Sequence, residues 1–127
     1  MQITTTLVTE TVNGKETITQ TFQGTLQQQG GLMLLTYDDP ELGATRLFIH
    51  PDRAKLVRTG AFTTQMVFLP NATTHNDYHS PGGVFDLAIH TTLFHLCTAM
   101  PNRRLNLHYA LSINNEEVAS NKLTVEF

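Results

Sequence analysis

The chain has 127 residues, of which 40% are apolar and 15% charged, and its formal net charge is −3. This length predicts one domain, residues 1–127, and the apolar content supplies a core and excludes a disordered chain. The acidic balance and the lone basic pair Arg103-Arg104 give too little positive charge for a nucleic-acid partner. The longest aliphatic run, residues 32–35, is much shorter than the roughly 20 residues of a membrane span, so none is expected.

Two features of the sequence indicate the cellular compartment in which the protein is expected. Cys97 is the sole cysteine, so no intrachain disulfide can form, and a free thiol is typical of a reducing environment. The first residues, MQITTTLVTET, alternate polar and apolar side chains and lack the basic and apolar regions of a signal peptide. We therefore expect a cytoplasmic protein.

The N-terminal part of the chain has the alternation of β-strands. β-Branched residues predict a strand over residues 2–12, and Asn13-Gly14 is a strong signal for a hairpin turn. A second strand is predicted over residues 16–28, ending before Gly30-Gly31. The denser apolar run 31–37 predicts a strand that is covered on both faces.

The rest of the chain continues in the same way. Further strands are predicted over residues 44–49, 54–59 and 64–69, from Val84 onward, over 104–113, and at the C-terminus. The polar stretch 70–77 is interpreted as a connection, and 78–83 as a segment rich in strand breakers. The strand from Val84 is expected to continue beyond Leu93 with Phe85 and Leu93 on one face, because the period remains two.

About nine sequential strands with short connections predict an antiparallel meander. The fold class is all-β, and the expected architecture is a single antiparallel up-and-down β-barrel of eight to ten strands, because closure removes the sheet edges. A two-sheet sandwich is the structural alternative.

Several runs in order resemble the YwiB-like proteins, a family of small, uncharacterised bacterial β-barrel proteins of the calycin (lipocalin-like) superfamily. The runs are Val57-Arg58-Thr59-Gly60, Met66-x-Phe68, Tyr78-x-x-Pro81-x-Gly83-x-Phe85-x-Leu87-x-Ile89-x-Thr91, and Leu107-x-Tyr109-x-Leu111. The chain departs from the family pattern at Ser80, where a threonine is usual. The resemblance implies a lipocalin-like barrel of eight to ten strands and implies no activity.

Arg58 is the most informative charged residue, because it shares a predicted strand face with Ala54 and Leu56. A guanidinium inside a barrel needs a carboxylate, several carbonyls or an anionic ligand. The simpler interpretation is that Arg58 closes one end of the barrel, bonded to backbone carbonyls. In the ligand interpretation the candidate binding residues are Arg58, Tyr78, Tyr109, Met66 and Phe85.

Other constellations are interpreted as structural. His75, Asp77 and His79 would share a face only if their segment were extended, and as a loop they predict no metal site. The acidic residues Asp38, Asp39 and Glu41 lack the spacing of a calcium loop. Cys97 is expected to be a buried structural residue despite the nearby His95. No nucleophile or phosphate-binding motif occurs, so no catalytic residue or cofactor is predicted and an enzyme is disfavoured.

Two functions follow as hypotheses. The first is a non-enzymatic protein that holds a small apolar or anionic ligand in the barrel lumen, with Arg58 at the polar end. The alternative is an interaction protein with a filled core that forms a homodimer or docks a partner. Its surface would be the strand 31–37, or an exposed patch of Phe48, Val57 and Val67.

Overall fold

Polar and apolar side chains alternate along ten strands, which the computed structural model describes over residues 1–60 and 62–127. The strands are β1 (Gln2–Thr11), β2 (Gly14–Gln29), β3 (Leu32–Asp39), β4 (Gly43–Ile49), β5 (Ala54–Thr59), β6 (Thr64–Phe68), β7 (Thr73–Ser80), β8 (Gly83–Cys97), β9 (Arg104–Ile113) and β10 (Glu116–Glu126). The described part of the chain contains no helix long and apolar enough to cross a bilayer.

The strands form one antiparallel sheet in the order β6-β5-β4-β3-β2-β1-β10-β9-β8-β7. Its two ends meet along a boundary between β6 and β7, which we call the seam. There Thr63 and His79 exchange two backbone hydrogen bonds of 2.9 Å, and the Thr74 hydroxyl donates to the Val67 carbonyl at 2.6 Å. The sheet is therefore a nearly closed barrel. The predicted barrel of eight to ten strands is confirmed, it is consistent with a calycin-like architecture, and the sandwich alternative is wrong.

The middle of the barrel is filled by apolar side chains from every strand except β7. The largest of those that are almost completely buried are Phe68, Ile3, Leu35, Leu47, Ile49, Ile89, Leu105, Leu107 and Val125. Two aromatic contacts lie among them: Phe68 meets Tyr109 edge-on at 4.9 Å between ring centroids, and Phe22 stacks on Tyr37 at 4.7 Å. Burial of these inward faces is the main force that holds the sheet closed.

The sequence prediction is wrong for the segment from Thr73 to Ser80. Residues 70–77 were interpreted as a connection, and residues 78–83 as a segment rich in strand breakers. Thr73 to Ser80 form strand β7, paired with β8 from Thr73↔His90 to Ser80↔Gly83. Its polar composition obscured the strand because β7 is half-exposed: only alternate residues, such as Thr74 and Tyr78, turn inward. Tertiary pairing outweighs local propensity here.

The structure also corrects the prediction of which β8 side chains point inward beyond Thr91. The register of β8 against β9 shifts between Thr91 and Leu93, as in a β-bulge. The extra residue reverses the alternation, so Phe94 packs against the core while Leu93 is 39% exposed. Phe85 and Leu93 therefore do not share a face. The predicted continuation of the strand is confirmed, since β8 extends to Cys97.

The outer face of β3 is only partly shielded, so the prediction of a strand covered on both faces is wrong. Leu34 lies opposite Phe48, and Phe48 opposite Lys55. The Lys55 Nζ lies 4.9 Å from the centre of the Phe48 ring, and the Arg46 guanidinium carbon lies 5.9 Å from it. Two cations thus cover the central ring of the patch proposed for docking, and this lowers its apolar character.

Adjacent leucines on opposite faces of β3 test this account of the core. Leu35→Ala should lower the free energy of unfolding by about 3–5 kcal/mol, because Leu35 is fully buried. Leu34→Ala, on the half-buried outer face, should cost about 1 kcal/mol. Urea denaturation followed by circular dichroism measures both values, and equal losses would contradict the assignment of faces.

Candidate functional site

Arg58 lies at the end of an inward strand face, as predicted. On β5, Ala54 and Leu56 are buried, and Arg58 follows them at a partly buried position one residue before the strand ends. Two glycines with positive φ, Gly43 and Gly60, flank this end of the barrel. A Cβ at Gly43 would overlap the Thr59 carbonyl. Glycine therefore allows the β3–β4 turn to lie against β5, next to Arg58.

The Arg58 guanidinium is incompletely hydrogen-bonded. Its Nε is shielded from solvent and makes no hydrogen bond within residues 1–60 and 62–127. No carboxylate in those ranges forms an ion pair with it. The interpretation that Arg58 is held by backbone carbonyls receives no support at Nε. An uncompensated donor at a shielded position is costly, so Nε is a point where the described chain leaves a polar group unsatisfied.

Tyr37 is a polar neighbour of Arg58. Burial raises the pKa of the Tyr37 hydroxyl above its ordinary value, while the charge of Arg58 and hydrogen bonding to it act in the opposite direction. The nearby Asp39 carboxylate raises the pKa further. Tyr37 is therefore a neutral hydroxyl at physiological pH and does not neutralise the guanidinium.

Two open clefts meet at Arg58 and Leu42, at the end of the barrel where β5 and β9 finish. The first, which we call the seam cleft, has a volume of about 220 Å³. Its lining residues are Leu42, Arg58, Phe62, Thr64, Met66, Tyr78, Leu87, Leu111 and Ile113. Arg58 is the sole charged residue in this set. The seam cleft is thus an apolar space with a cation at one side.

The second cleft lies under the long β1–β2 hairpin, and we call it the hairpin cleft. Its volume is about 290 Å³, and its lining includes Gln20, Asp39, Glu41 and Arg58. The Asp39 carboxylate accepts backbone hydrogen bonds from Glu41 at 2.8 Å and Leu42 at 3.1 Å. Because two carboxylates face it, this cleft is more polar and less positive than the seam cleft.

The five predicted binding residues separate into two groups. Arg58, Met66 and Tyr78 line the seam cleft together. Tyr109 is in the core, where burial raises its pKa, and hydrogen bonding by Asn121 and the charge of Arg58 lower it. Phe85 is half-buried opposite Tyr78 in the β7–β8 pair and lines neither cleft.

Sequence reasoning missed three residues of this site. Thr64 is 6% exposed and its hydroxyl has no hydrogen-bond partner in the described chain. Leu42 is in a turn, where its side chain carried no signal, and Tyr37 was not among the candidate binding residues. The available signal for Thr64 was its place on the same strand face as Met66 and Phe68.

The histidine and cysteine constellations do not form a site. His75, Asp77 and His79 share the outer face of β7, and His75 Nδ1 lies 3.2 Å from the Asp86 carboxylate. Among residues 1–60 and 62–127, no three His, Cys, Asp or Glu side chains are placed to hold a metal ion. Cys97 is partly exposed at the end of β8, so its predicted burial is wrong.

Comparison with known proteins defines the family. The family model described as "Domain of unknown function (DUF1934)" matches residues 2–125. The chain belongs to this family. The crystal structure of ywiB protein from Bacillus subtilis is similar with a TM-score of 0.83 and 19% identity, over 98% of this chain and 89% of that one. The YwiB-like resemblance is confirmed. At this identity the likeness shows the fold alone, and no curated protein matches the chain.

The two buried tyrosines make stability sensitive to alkaline pH. Their pKa values are raised, so the folded state holds the phenolic protons more tightly than the unfolded chain. Their stabilisation is complete below the unfolded pKa of about 10 and is lost as pH rises through the folded values. The free energy of unfolding should fall above pH 10, and less steeply in Tyr109→Phe.

Phenolate absorbance during alkaline titration tests the Arg58–Tyr37 coupling. Arg58→Met should move the Tyr37 ionisation to higher pH, because both effects of Arg58 lower that pKa. Tyr37→Phe identifies the transition that belongs to this residue. An unchanged titration in Arg58→Met would show that the two side chains do not interact.

Proposed function

We propose that this protein is a non-enzymatic binding protein that holds a small organic anion at the open end of its barrel, with Arg58 as the anchor. The observation that carries the proposal is the shielded Arg58 Nε, which has no hydrogen-bond acceptor in the described chain. A ligand oxygen would satisfy this donor and neutralise the guanidinium at once.

The distribution of space supports a site at the open end and not in the middle of the barrel. The middle of the lumen is filled by the core, in which the large side chains of Phe22, Met66, Phe68 and Tyr109 are buried. The clefts of about 220 and 290 Å³ are at or below the lower end of typical ligand pockets, which begin near 300 Å³. The size therefore favours a small metabolite.

The side chains around Arg58 favour binding over catalysis. The seam cleft contains hydroxyl groups at Thr64 and Tyr78 but neither His, Cys, Asp nor Glu among its lining residues. A general base adjacent to a nucleophile is the usual requirement for covalent catalysis. We place this binding activity in a bacterial cytoplasm, which the free thiol of Cys97 supports.

An anion panel tests the proposal. Benzoate, hexanoate and succinate should be titrated into the protein while amide resonances are followed by NMR. At least one should shift residues that line the clefts, and Arg58→Met should weaken its binding about tenfold or more, since hydrogen bonds to charged groups contribute about 1.5–3 kcal/mol.

Arg46→Met is the matched control, because Arg46 is exposed on the outer face of the adjacent strand β4. It removes the same charge and should leave binding unchanged. Arg58→Met should still fold, because no carboxylate loses its partner. Binding that survives Arg58→Met, or the failure of all three anions to bind, would contradict the proposal.

The β1–β2 hairpin favours a second candidate function, self-assembly. β2 pairs with β1 over Gly14–Gln23 but with β3 only over Gly24–Gln29. The two-residue turn between Thr11 and Gly14 directs the backbone groups of residues 15, 17, 19 and 21 away from β1. These groups form a free sheet edge centred near Thr19.

A second copy of the chain fits this edge. Antiparallel pairing of β2 with itself about Thr19 would place Thr17 opposite Thr21 of the other copy, so every free donor would meet an acceptor. The edge has no proline, and its lysine, Lys15, is at one end, so the usual protection against edge pairing is weak. Ile18 beside it is 45% exposed.

Sedimentation velocity over a range of concentrations tests this assembly. The wild-type chain should dimerise, and Thr19→Pro should be monomeric, because proline removes an edge donor that β1 does not use. Thr19→Ala keeps that donor and should dimerise. A wild-type monomer at all concentrations, or dimerisation of a folded Thr19→Pro variant, would exclude assembly through this edge.

A further inference from the structure

We infer that the seam cleft is specific for a monocarboxylate with a short, compact apolar body, and that Thr64 determines this specificity together with Arg58. The inference rests on the proposed function and goes further in three respects: it selects one cleft, it names the head group and the body of the ligand, and it assigns a role to Thr64.

The head-group position follows from the register of β5 and β6. Arg58 and Thr64 are directly opposite each other in this antiparallel pair, so their Cβ atoms are about 5 Å apart on the same face. Both carry a shielded polar atom without a partner in the described chain, Nε of Arg58 and Oγ1 of Thr64. Two adjacent donors match the two oxygens of one carboxylate.

The rest of the seam cleft fits an uncharged body. Beyond Arg58 and Thr64 the lining consists of aliphatic and aromatic side chains and the Tyr78 ring, which stacks on Phe62 at 6.2 Å between centroids. A second charged group on the ligand would be placed against these side chains and would lose its hydration without compensation. Dicarboxylates and polar anions are therefore poor ligands for this cleft.

The hairpin cleft is less suitable for the same head group. Asp39 and Glu41 line it beside Arg58, and like charges disfavour a bound anion. Thr64 does not line that cleft. Of the two clefts, the seam cleft is therefore the one lined by both residues that carry an unsatisfied polar atom.

The volume limits the length of the ligand. About 220 Å³ is below the roughly 300 Å³ at which typical ligand pockets begin. A carboxylate with a short aliphatic chain or a single ring fills such a space, whereas a long acyl chain cannot enter it because the core beyond Met66 and Leu87 is packed.

The test compares four probes that share a size: hexanoate, hexan-1-ol, hexylammonium and succinate, titrated by NMR into the folded full chain. Hexanoate should bind best, with shifts at residues of the seam cleft. Thr64→Val should weaken hexanoate binding about tenfold, since it removes one hydrogen bond to a charged group. Thr64→Ser should restore it, and Thr36→Val, on the exposed face of β3, should have no effect.

The outcomes distinguish this inference from the proposed function. Succinate binding that is at least as tight as hexanoate binding, and that depends on Arg58 but not on Thr64, would overturn the specificity for a monocarboxylate. The same result would still support the proposed anion site at Arg58. Hexan-1-ol binding as tightly as hexanoate in both the wild type and Arg58→Met would overturn both. Hexanoate shifts confined to the hairpin cleft would overturn the choice of cleft, as would equal affinity of Thr64→Val and Thr64→Ser.

Discussion

The structure depends on one constraint, the two-residue period of side chains in a single sheet that curls back on itself. Because the sheet nearly closes, every inward side chain of ten strands shares one interior, and a residue that turns inward cannot reach solvent except at the barrel ends. Apolar residues satisfy this constraint along nearly the whole sheet. The charged side chain of Arg58 can point inward only because β5 ends one residue later, at Thr59. The barrel interior opens into the two clefts at that end.

The end of β5 also shows why the charge remains uncompensated. The turn after β3 approaches β5 through Gly43, and Oδ1 of its Asp39 carboxylate accepts hydrogen bonds from the backbone amides of Glu41 and Leu42. This carboxylate stabilises the turn and forms no ion pair with Arg58 in the described part of the chain. Tyr37, the polar neighbour within reach, stays protonated because burial raises its pKa. The local structure therefore leaves a cation beside an apolar cleft, and the proposed anion site rests on this arrangement.

Alternation along the chain was sufficient to predict the strands and the inward direction of Arg58, and the barrel followed from the number of sequential strands and the removal of sheet edges by closure. The alternation gave wrong predictions in two places: where a β-bulge shifts the pattern of inward and outward side chains, and where a polar segment is a strand because it pairs with its neighbour. The bulge after Thr91 reverses the faces of Leu93 and Phe94, and no residue type there signals it. β7 is too polar to be identified as a strand until its partner β8 is known.

How deep a side chain lies along the barrel axis is independent of whether it points inward. This depth determines which of the inward residues lie near the clefts. Tyr109 and Thr64 both turn inward, but Tyr109 packs against Phe68 in the middle, while Thr64 begins β6 beside the open end. Depth depends on how neighbouring strands are staggered, which a single sequence does not reveal. The seam cleft lies along the β6–β7 boundary, where Thr63 and His79 form an isolated bridge within the described residues. The boundary at which the two ends of the sheet meet is therefore also one wall of the apolar cleft, so the same staggering that closes the barrel creates the space beside Arg58.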